Sequence, residues 1–146
     1  MPTPLELAIA VAAAAHQGQK DKTGEPYILH PLRIMLSLTS ETERVVAMLH
    51  DVVEDTAVTL GDLRRHGFSE EVIAAVDCLT HRPEESYEEY VVRAGGNPLA
   101  RRVKLADLAD NMELRRLPVN PLPKDWERMA RYRRAWDYPQ ATDRGP

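Results

Sequence analysis

The feature that most constrains this chain is a group of charged residues inside an apolar run. His50, Asp51, Glu54 and Asp55 follow the apolar residues 45–49. Apolar side chains fall on every side of the helix that this run predicts, so the helix should be central and buried. Charged groups persist in a dry interior only when they are paired or bound to a metal. The stretch therefore predicts a buried helix that carries a functional cluster.

Helical spacing brings these charged residues together in pairs. In the helix predicted from residue 41 to about residue 56, His50 lies four residues before Glu54, and Asp51 precedes Asp55 by the same interval. An imidazole beside a carboxylate, with two more carboxylates one turn on, indicates a divalent metal and a base. A solvated helix end is the alternative explanation. The apolar surroundings and the candidate ligands elsewhere in the chain favour the metal.

The whole sequence predicts an all-α protein, because helical periodicity recurs and no period-two alternation indicates a sheet. Helices are expected at about 3–17, 31–38, 41–56, 60–65, 70–79, 87–94 and 98–117, with a last helix that contains Trp126 and Trp136. Three prolines between residues 117 and 123 form a rigid connector before that last helix. Its arginines, Arg128, Arg131 and Arg134, are expected to face solvent.

Length and composition favour one globular domain. The chain has 146 residues, of which 43% are hydrophobic and 29% charged. We expect the domain to span residues 1–138 and a frayed tail to occupy 139–146. The net charge of −4 lacks the basic bias of a nucleic-acid-binding protein. The single cysteine, Cys78, excludes an intramolecular disulfide and is compatible with a reducing compartment.

The alanine-rich start of the chain is interpreted as a packed helix. No basic residue precedes the apolar run at 8–15, and the run is far too short to span a membrane. The expected location is therefore the cytoplasm, with no membrane and no nucleic acid among the partners. The oligomeric state is left open by the sequence.

A polar loop follows the first helix. Residues 16–27 include Lys20, Lys22 and Tyr27, and two glycines and a proline mark the segment as a loop. Two ammonium groups and an aromatic ring suit an anionic ligand that itself carries a ring. A solvated surface loop is the alternative.

Further candidate ligands lie on other helices. His30 opens the second helix, and Asp107 shares one helical face with Lys104 and Asn111. Together with the His-Asp pair they supply two imidazoles and two carboxylates. This set suits manganese, iron or zinc, whereas calcium and magnesium prefer oxygen alone. Whether the side chains meet depends on the fold.

The order of these residues carries a resemblance. A histidine, then a His-Asp pair, then an aspartate resembles the HD-domain metal-dependent phosphohydrolases. The runs AHQGQKDKTGEPYILHPLRI, AMLHDVVEDT and VKLADLADNM are similar to the hydrolase domain of the RelA/SpoT homologues and of the small alarmone hydrolases. The likeness extends from about residue 5 to residue 117. It implies an all-α HD-domain fold, in which a central buried helix carries the His-Asp pair.

The same resemblance implies an activity and a role for each matched residue. The activity is manganese-dependent removal of the 3′-pyrophosphate from the nucleotide (p)ppGpp; another divalent transition metal is an alternative cofactor. The implied metal ligands are His30, His50, Asp51 and Asp107. The implied catalytic residues beside the metal-bound water are Glu54 and Asp55. The implied substrate contacts are Lys20, Lys22 and Lys104 to phosphates, Tyr27 to the nucleotide and Asn111 to the sugar.

One position departs from the family pattern. Many members have an arginine where this chain has Asp21, just before Lys22. The resemblance implies that the family's arginine stacks on guanine, and an aspartate cannot replace a cation at a ring face. Either Lys20 substitutes for it, or the preferred substrate is an adenine alarmone such as (p)pApp.

Two other functions remain open at this point. A phosphatase acting on another nucleotide, such as the 2′-phosphate of NADPH, would use the same metal chemistry. A nucleotide-sensing module that binds without hydrolysis would not need Glu54 and Asp55, and both are present.

Overall fold

The computed structural model describes residues 1–143, with side chains described through residue 138, and confirms the predicted all-α fold. Within this part of the chain, the extended pairing is limited to one isolated bridge between Lys20 and Pro26. The α-helices are α1 (Pro4–Ala15), α2 (Leu29–Ser37), α3 (Glu41–Leu49), α4 (Val52–Asp55), α5 (Leu60–Arg65), α6 (Glu70–Cys78), α7 (Tyr87–Gly95), α8 (Pro98–Asn111) and α9 (Pro123–Asp143). A short 3₁₀ helix, Leu114–Arg116, lies between α8 and α9.

Polar caps set the starts of several helices. The Thr3 hydroxyl accepts a hydrogen bond from the backbone N–H of Glu6, and the Glu6 carboxylate accepts one from the N–H of Thr3. Thr59 and Asp62 repeat this reciprocal capping box at the start of α5. Gly67, with φ of +96°, provides the left-handed turn that follows α5. These local signals explain why most helix starts follow from the sequence.

Helix α3 lies at the centre of the main hydrophobic core. Residues 45–49 are all almost completely buried, and α3 packs against α1, α2, α6 and α8. A single apolar stripe would leave some of these side chains in water, so the continuous apolar run matches a helix surrounded by others. The core therefore fixes the position of the residue that follows α3, His50.

A second, smaller hydrophobic cluster holds α9 to the rest of the protein. Its buried residues are Tyr90 and Val91 of α7, Leu108 of α8 and Ala135 of α9. Helix α9 packs against α7 and α8 through this cluster. The last helix therefore lies over one side of the bundle, supported by a different cluster from the one around α3.

The prediction of one continuous helix over residues 41–56 is wrong. Helix α3 ends at Leu49 and α4 begins at Val52, with a turn at His50 and Asp51. The ring Nδ1 of His50 donates to the backbone oxygen of Ala47 over 2.6 Å. A side chain that occupies a helical carbonyl competes with the backbone hydrogen bond that continues the helix. The His-Asp pair consequently lies at a bend instead of within a helix.

Two other boundaries differ from the sequence prediction. Helix α8 ends at Asn111 instead of about residue 117, and the Glu113 carboxylate caps the N–H of Arg115 in the following 3₁₀ helix. This turn directs Arg116 back towards α8. Helix α9 extends to Asp143, through the segment predicted as the start of a frayed tail, while 144–146 lie outside the described residues. Among the described residues, no helix combines the length and apolar character needed to cross a membrane.

The packing around α3 yields a stability prediction. Ile73 of α6 is 1% exposed in the main core, so Ile73→Ala should lower the free energy of unfolding by about 2–5 kcal/mol. The control is Leu36→Ala, since Leu36 is 71% exposed and should change that free energy by no more than about 0.5 kcal/mol. Urea unfolding followed by circular dichroism measures both. Equal effects of the two substitutions would contradict the described core.

Candidate metal centre

A cavity of about 450 Å³ opens beside the bend between α3 and α4. Its walls come from the loop at 20–23, from His30 of α2, and from α7, α8 and α9. The His-Asp bend and α4 contribute the acidic residues Asp51, Glu54 and Asp55. The cavity therefore collects polar residues from segments that are far apart in the sequence.

The structure brings three of the four predicted metal ligands together, His30, His50 and Asp107, and places the fourth, Asp51, beside His50. The Nε2 atom of His30 lies 2.9 Å from Oδ1 of Asp107, and Nε2 of His50 lies 3.5 Å from the same oxygen. Oδ2 of Asp51 is 3.0 Å from His50 Nε2. His30, His50 and Asp107 are all buried, and each offers a ligand atom within 4.8 Å of the others. Helices α2, α3 and α8 thus converge on a single point.

Hydrogen bonds fix how both imidazoles face this point. The partner of His50 Nδ1 is the backbone oxygen of Ala47, which can only accept, so Nδ1 carries a proton. The partner of His30 Nδ1 is Oδ2 of Asp110 at 2.6 Å. Although burial alone would raise the pKa of Asp110, hydrogen bonds from His30 and Arg33 lower it to about 2. Asp110 is therefore ionised and accepts a hydrogen bond from the Nδ1–H group of His30.

This arrangement fits a divalent metal ion. In a neutral imidazole whose Nδ1 carries the proton, Nε2 has a lone pair, and both lone pairs here face the Asp107 carboxylate. His50 Nε2 is buried and makes no hydrogen bond to any described residue. Acceptors that face one another in a buried site need a cation or protons between them. Two imidazole nitrogens and carboxylate oxygens are donors that suit a divalent transition metal.

Charges around the centre keep its carboxylates ionised. Burial disfavours the charged form of Asp107, but the Lys104 ammonium and the neighbouring imidazoles of His30 and His50 hold its pKa well below the usual value. Burial likewise opposes ionisation of Asp51, while the neighbouring His50 lowers its pKa to about 2. For His50, burial is outweighed by Asp51 and Asp107, which raise its pKa well above normal. The centre is thus strongly attractive to positive charge.

An acidic group lies directly beside the ligands. Asp51, Glu54 and Asp55 each offer an oxygen within 4.8 Å of the others. Burial, together with the negative charge of Asp51, raises the pKa of Glu54 and of Asp55. The backbone N–H of His81 donates to Oε1 of Glu54 over 2.6 Å and so orients this carboxylate. A carboxylate with a raised pKa next to a metal centre is suited to act as a general base.

Tyr27, the predicted contact to the nucleotide, lines the cavity and also contacts a candidate ligand. Its hydroxyl donates to Oδ2 of Asp51. Burial and the charge of Asp51 raise the pKa of Tyr27, so the phenol keeps its proton. Behind it, His16 Nδ1 lies 2.7 Å from the side-chain oxygen of Gln19, whose amide donates to the backbone oxygen of Asp55. His16 and Gln19 therefore help to hold the backbone of Asp55 in place.

Lys104 and Asn111 line the cavity, and both contact Asp107. The Lys104 ammonium is 2.9 Å from Oδ2 of Asp107 and 4.8 Å from the centre of the Tyr90 ring. The Asn111 amide donates to Oδ1 of Asp107 over 3.1 Å. Burial would lower the pKa of Lys104, but Asp107 holds it well above its usual value. Both residues thus fix a candidate ligand, whatever contact they also make with substrate.

The loop lysines reach the same cavity. Lys20 and Lys22 both line it. Burial lowers the pKa of Lys22, and the nearby charges of Arg128 and Arg131 lower it further. Asp21, at the position of the family's arginine, has a local role: its Oδ1 accepts hydrogen bonds from the backbone and hydroxyl of Thr23 and from the N–H of Glu25.

Several cationic residues of the cavity were not among the residues predicted from the sequence. Arg116, Arg128 and Arg131 all line it, although the last two were expected to face solvent. The Arg128 side chain is only 13% exposed, so that prediction is wrong for Arg128. The Arg131 guanidinium is 5.3 Å from the centre of the Tyr87 ring. The spacing of Arg128 and Arg131 with the buried Ala135 places all three on one helical face, and this was the available signal.

Comparisons with known proteins show the family to which this chain belongs. Residues 8–114 match the protein family described as "HD domain", so the chain belongs to the HD-domain family. A solved structure of a metazoan ortholog of SpoT, described as hydrolysing ppGpp, has a TM-score of 0.79 and 23% sequence identity. The match covers 97% of this chain and 89% of that one, and shows that the two share a fold.

Similar curated proteins carry names for both the synthesis and the hydrolysis of alarmones. A GTP pyrophosphokinase of Streptomyces coelicolor is 38% identical over 125 residues, which are 77% of this chain and 15% of that protein. A guanosine-3′,5′-bis(diphosphate) 3′-pyrophosphohydrolase of Aquifex aeolicus is 33% identical, with 75% and 17% covered. The bifunctional (p)ppGpp synthase/hydrolase SpoT of Escherichia coli is 32% identical, with 74% and 17% covered. The match thus spans about one sixth of the length of these relatives.

The ligand geometry predicts metal binding that depends on Asp107. Calorimetric titration of the metal-free protein with Mn²⁺, and with Zn²⁺ in parallel, should show one site. Asp107→Asn should weaken binding by more than roughly 100-fold, because it alters a ligand and not merely an outer partner. Metal should also raise the melting temperature of the unsubstituted protein but not of this variant.

The matched control for this prediction is Asp137→Asn. The Asp137 carboxylate is exposed on α9 and pairs with Arg133. Its neutralisation should leave metal affinity unchanged. Equal affinity in the protein and in both variants would place any metal elsewhere.

Proposed function

We propose that this protein is a metal-dependent pyrophosphohydrolase that removes the 3′-pyrophosphate from (p)ppGpp or from a related alarmone such as (p)pApp. The observation that carries the proposal is the division of one cavity into two parts. The His-Asp centre and its acidic neighbours form one part, and cationic side chains from the loop at 20–23 and from α9 form the other. A substrate that spans both needs a scissile phosphate at the first part and further negative charge at the second.

The names of the relatives support hydrolysis because the region that they share with this chain is the HD domain. Those proteins are named for synthesis, hydrolysis or both, but the similarity to this chain lies in the HD domain. The acidic group and the two imidazoles belong to that domain. They supply a metal site and a base, which are the groups that metal-dependent hydrolysis of a phosphate ester uses.

The residues proposed to hold the ion, which we take to be Mn²⁺, are His30, His50, Asp51 and Asp107. A bound divalent ion lowers the pKa of a coordinated water and offsets negative charge on the phosphoryl oxygens. Tyr27 keeps Asp51 in place, while Lys104 and Asn111 keep Asp107 in place. The ligand carboxylates are therefore held before substrate arrives.

Glu54 and Asp55 are proposed to orient the attacking water and to accept its proton. The water oxygen adds to the phosphorus attached to the ribose 3′ oxygen, and the bond between that phosphorus and oxygen breaks. Pyrophosphate leaves with the added oxygen, and the ribose regains its 3′ hydroxyl by taking up a proton. The raised pKa of Glu54, caused first by burial, brings its basicity closer to that needed at neutral pH.

The remaining charge of the substrate is proposed to bind at the cationic part of the cavity. Lys20, Lys22, Arg128 and Arg131 would contact phosphates there. Arg116 also lines the cavity, and its Nη1 lies 3.5 Å from Nδ1 of His30. Burial is the first cause of the lowered pKa of Lys22, and the positive charges of Arg128 and Arg131 lower it further by repelling its ammonium. A multiply charged anion relieves this repulsion, which favours a nucleotide with phosphates at two positions.

Removal of the proposed base should abolish turnover while the metal stays bound. Glu54→Gln and Asp55→Asn should each lower kcat by roughly 100- to 10,000-fold. The control is Glu71→Gln, an exposed carboxylate of α6, which should keep full activity. The assay measures release of pyrophosphate from ppGpp and pppGpp, and of phosphate from NADPH, with Mn²⁺ present.

Each outcome of this assay decides between the candidate functions. Release of phosphate from NADPH alone would replace the alarmone proposal with a nucleotide phosphatase. Binding of ppGpp without turnover by the unsubstituted protein would indicate a sensing module. Retained turnover in Glu54→Gln and in Asp55→Asn would show that the base lies elsewhere.

Base recognition is tested at Asp21. A guanidinium stacked on a base contributes about 0.5–2 kcal/mol, so Asp21→Arg should lower the KM for the guanine alarmone by roughly two- to thirtyfold. The adenine alarmone measured alongside gives the base preference of the unsubstituted protein. Asp21→Asn is the control, because it keeps an oxygen for the turn formed with Thr23 and Glu25. An unchanged KM in Asp21→Arg would show that the base does not reach this loop.

A further inference from the structure

The two candidate histidine ligands are held by different kinds of partner. His50 Nδ1 donates to an uncharged backbone oxygen, that of Ala47. His30 Nδ1 instead lies 2.6 Å from a side-chain carboxylate, Asp110 of α8. A carboxylate on the far nitrogen of an imidazole makes the near nitrogen a stronger donor to a metal than a neutral oxygen does.

Two arginines hold the Asp110 carboxylate in one position. Arg33 donates from Nε to Oδ1 over 2.8 Å and from Nη2 to Oδ2 over 3.2 Å. Arg116 donates from Nη1 to Oδ2 over 2.8 Å and to the backbone oxygen of Asp110 over 3.1 Å. The side chains of His30, Arg33 and Arg116 therefore supply the hydrogen bonds that this carboxylate accepts. The group therefore has little freedom to rotate away from the ring.

Arg116 also connects this carboxylate to the cavity. Its Nη1 atom lies 3.2 Å from the Asn111 oxygen, and its Nη2 atom lies 3.9 Å from Oδ2 of Asp21. Asn111 in turn donates to Asp107. The Arg116 guanidinium thus contacts Asp110, which binds the candidate ligand His30, and Asn111, which binds the candidate ligand Asp107.

We infer that Asp110 is a positioning residue for the metal centre: it fixes the proton of His30 on Nδ1, directs Nε2 towards Asp107 and strengthens the ring as a ligand. This inference builds on the metal centre of the proposed function. Arg33 and Arg116 keep the carboxylate in place, and Arg116 joins it to the substrate side of the cavity. A merely structural alternative is that the ion pairs of Asp110 only tie α2 to α8.

Metal affinity, measured by calorimetry without any nucleotide, separates these explanations. Asp110→Ala should weaken Mn²⁺ binding by roughly 10- to 100-fold. Asp110→Asn should recover a large part of this loss, because its amide oxygen can still accept a hydrogen bond from the Nδ1–H group of His30. Arg33→Gln removes the contacts of Arg33 with Asp110 but leaves the ring contact, and should change affinity by less than about threefold.

Nitrogen NMR of the histidine rings provides a readout that helix packing alone would not move. In the Zn²⁺-loaded protein, His30 should show a protonated Nδ1 and a metal-bound Nε2. Asp110→Ala should shift the Nδ1 signal of His30 and speed the exchange of its proton, while the signals of His50 stay in place. If Asp110→Ala does not fold, Asp110→Asn carries both measurements, with a smaller loss of affinity and a shifted His30 signal expected.

Three results would overturn the inference. These are unchanged Mn²⁺ affinity in Asp110→Ala (or in Asp110→Asn, where the alanine variant does not fold), an equal loss in Arg33→Gln, and a His30 ring whose Nδ1 lacks a proton in the unsubstituted protein. None of them depends on the substrate. A protein that binds Mn²⁺ with the expected dependence on Asp110 but hydrolyses no alarmone would keep this inference and refute the proposed function.

Discussion

The structure depends on one buried carboxylate, Asp107, on which the three helices α2, α3 and α8 converge. It contacts an imidazole from α2 and another from the end of α3, and an ammonium and an amide from α8. An ionised carboxylate cannot stay in the interior without such compensation. The contacts that make Asp107 tolerable in the fold are also those that arrange two nitrogen donors around it.

Much of this could be predicted from local sequence, and the rest required the packed structure. Caps such as Thr3 and the apolar run before His50 act over a few residues, so helix starts and the buried centre followed directly. The bend at His50 did not follow, since it depends on a hydrogen bond that competes with the helix. Asp110 was missed because its partner His30 lies eighty residues earlier in the chain. The orientation of Arg128 depends on how α9 docks.

Residues assigned to substrate by resemblance take part in the architecture of the centre itself. Lys104 is buried against Asp107, and Tyr27 donates to Asp51. A substitution at either position therefore changes a candidate ligand as well as any contact with the nucleotide. Loss of activity alone cannot assign these residues to binding. Measuring metal affinity separates the effect on the metal ligand from the effect on nucleotide binding. Substitution of a residue that binds only substrate leaves metal affinity unchanged.

The acidic and the cationic parts of the cavity are supported by different hydrophobic clusters. The His-Asp bend continues from α3 in the large cluster, whereas Arg128 and Arg131 are carried by α9 on the small one. Units that rest on different clusters can open with different free energies. A polyanion that bridges both sides would couple them, so its binding energy would be shared between recognition and the docking of the last helix. The docking of α9 on the rest of the protein would then be most stable when the cavity holds its ligand.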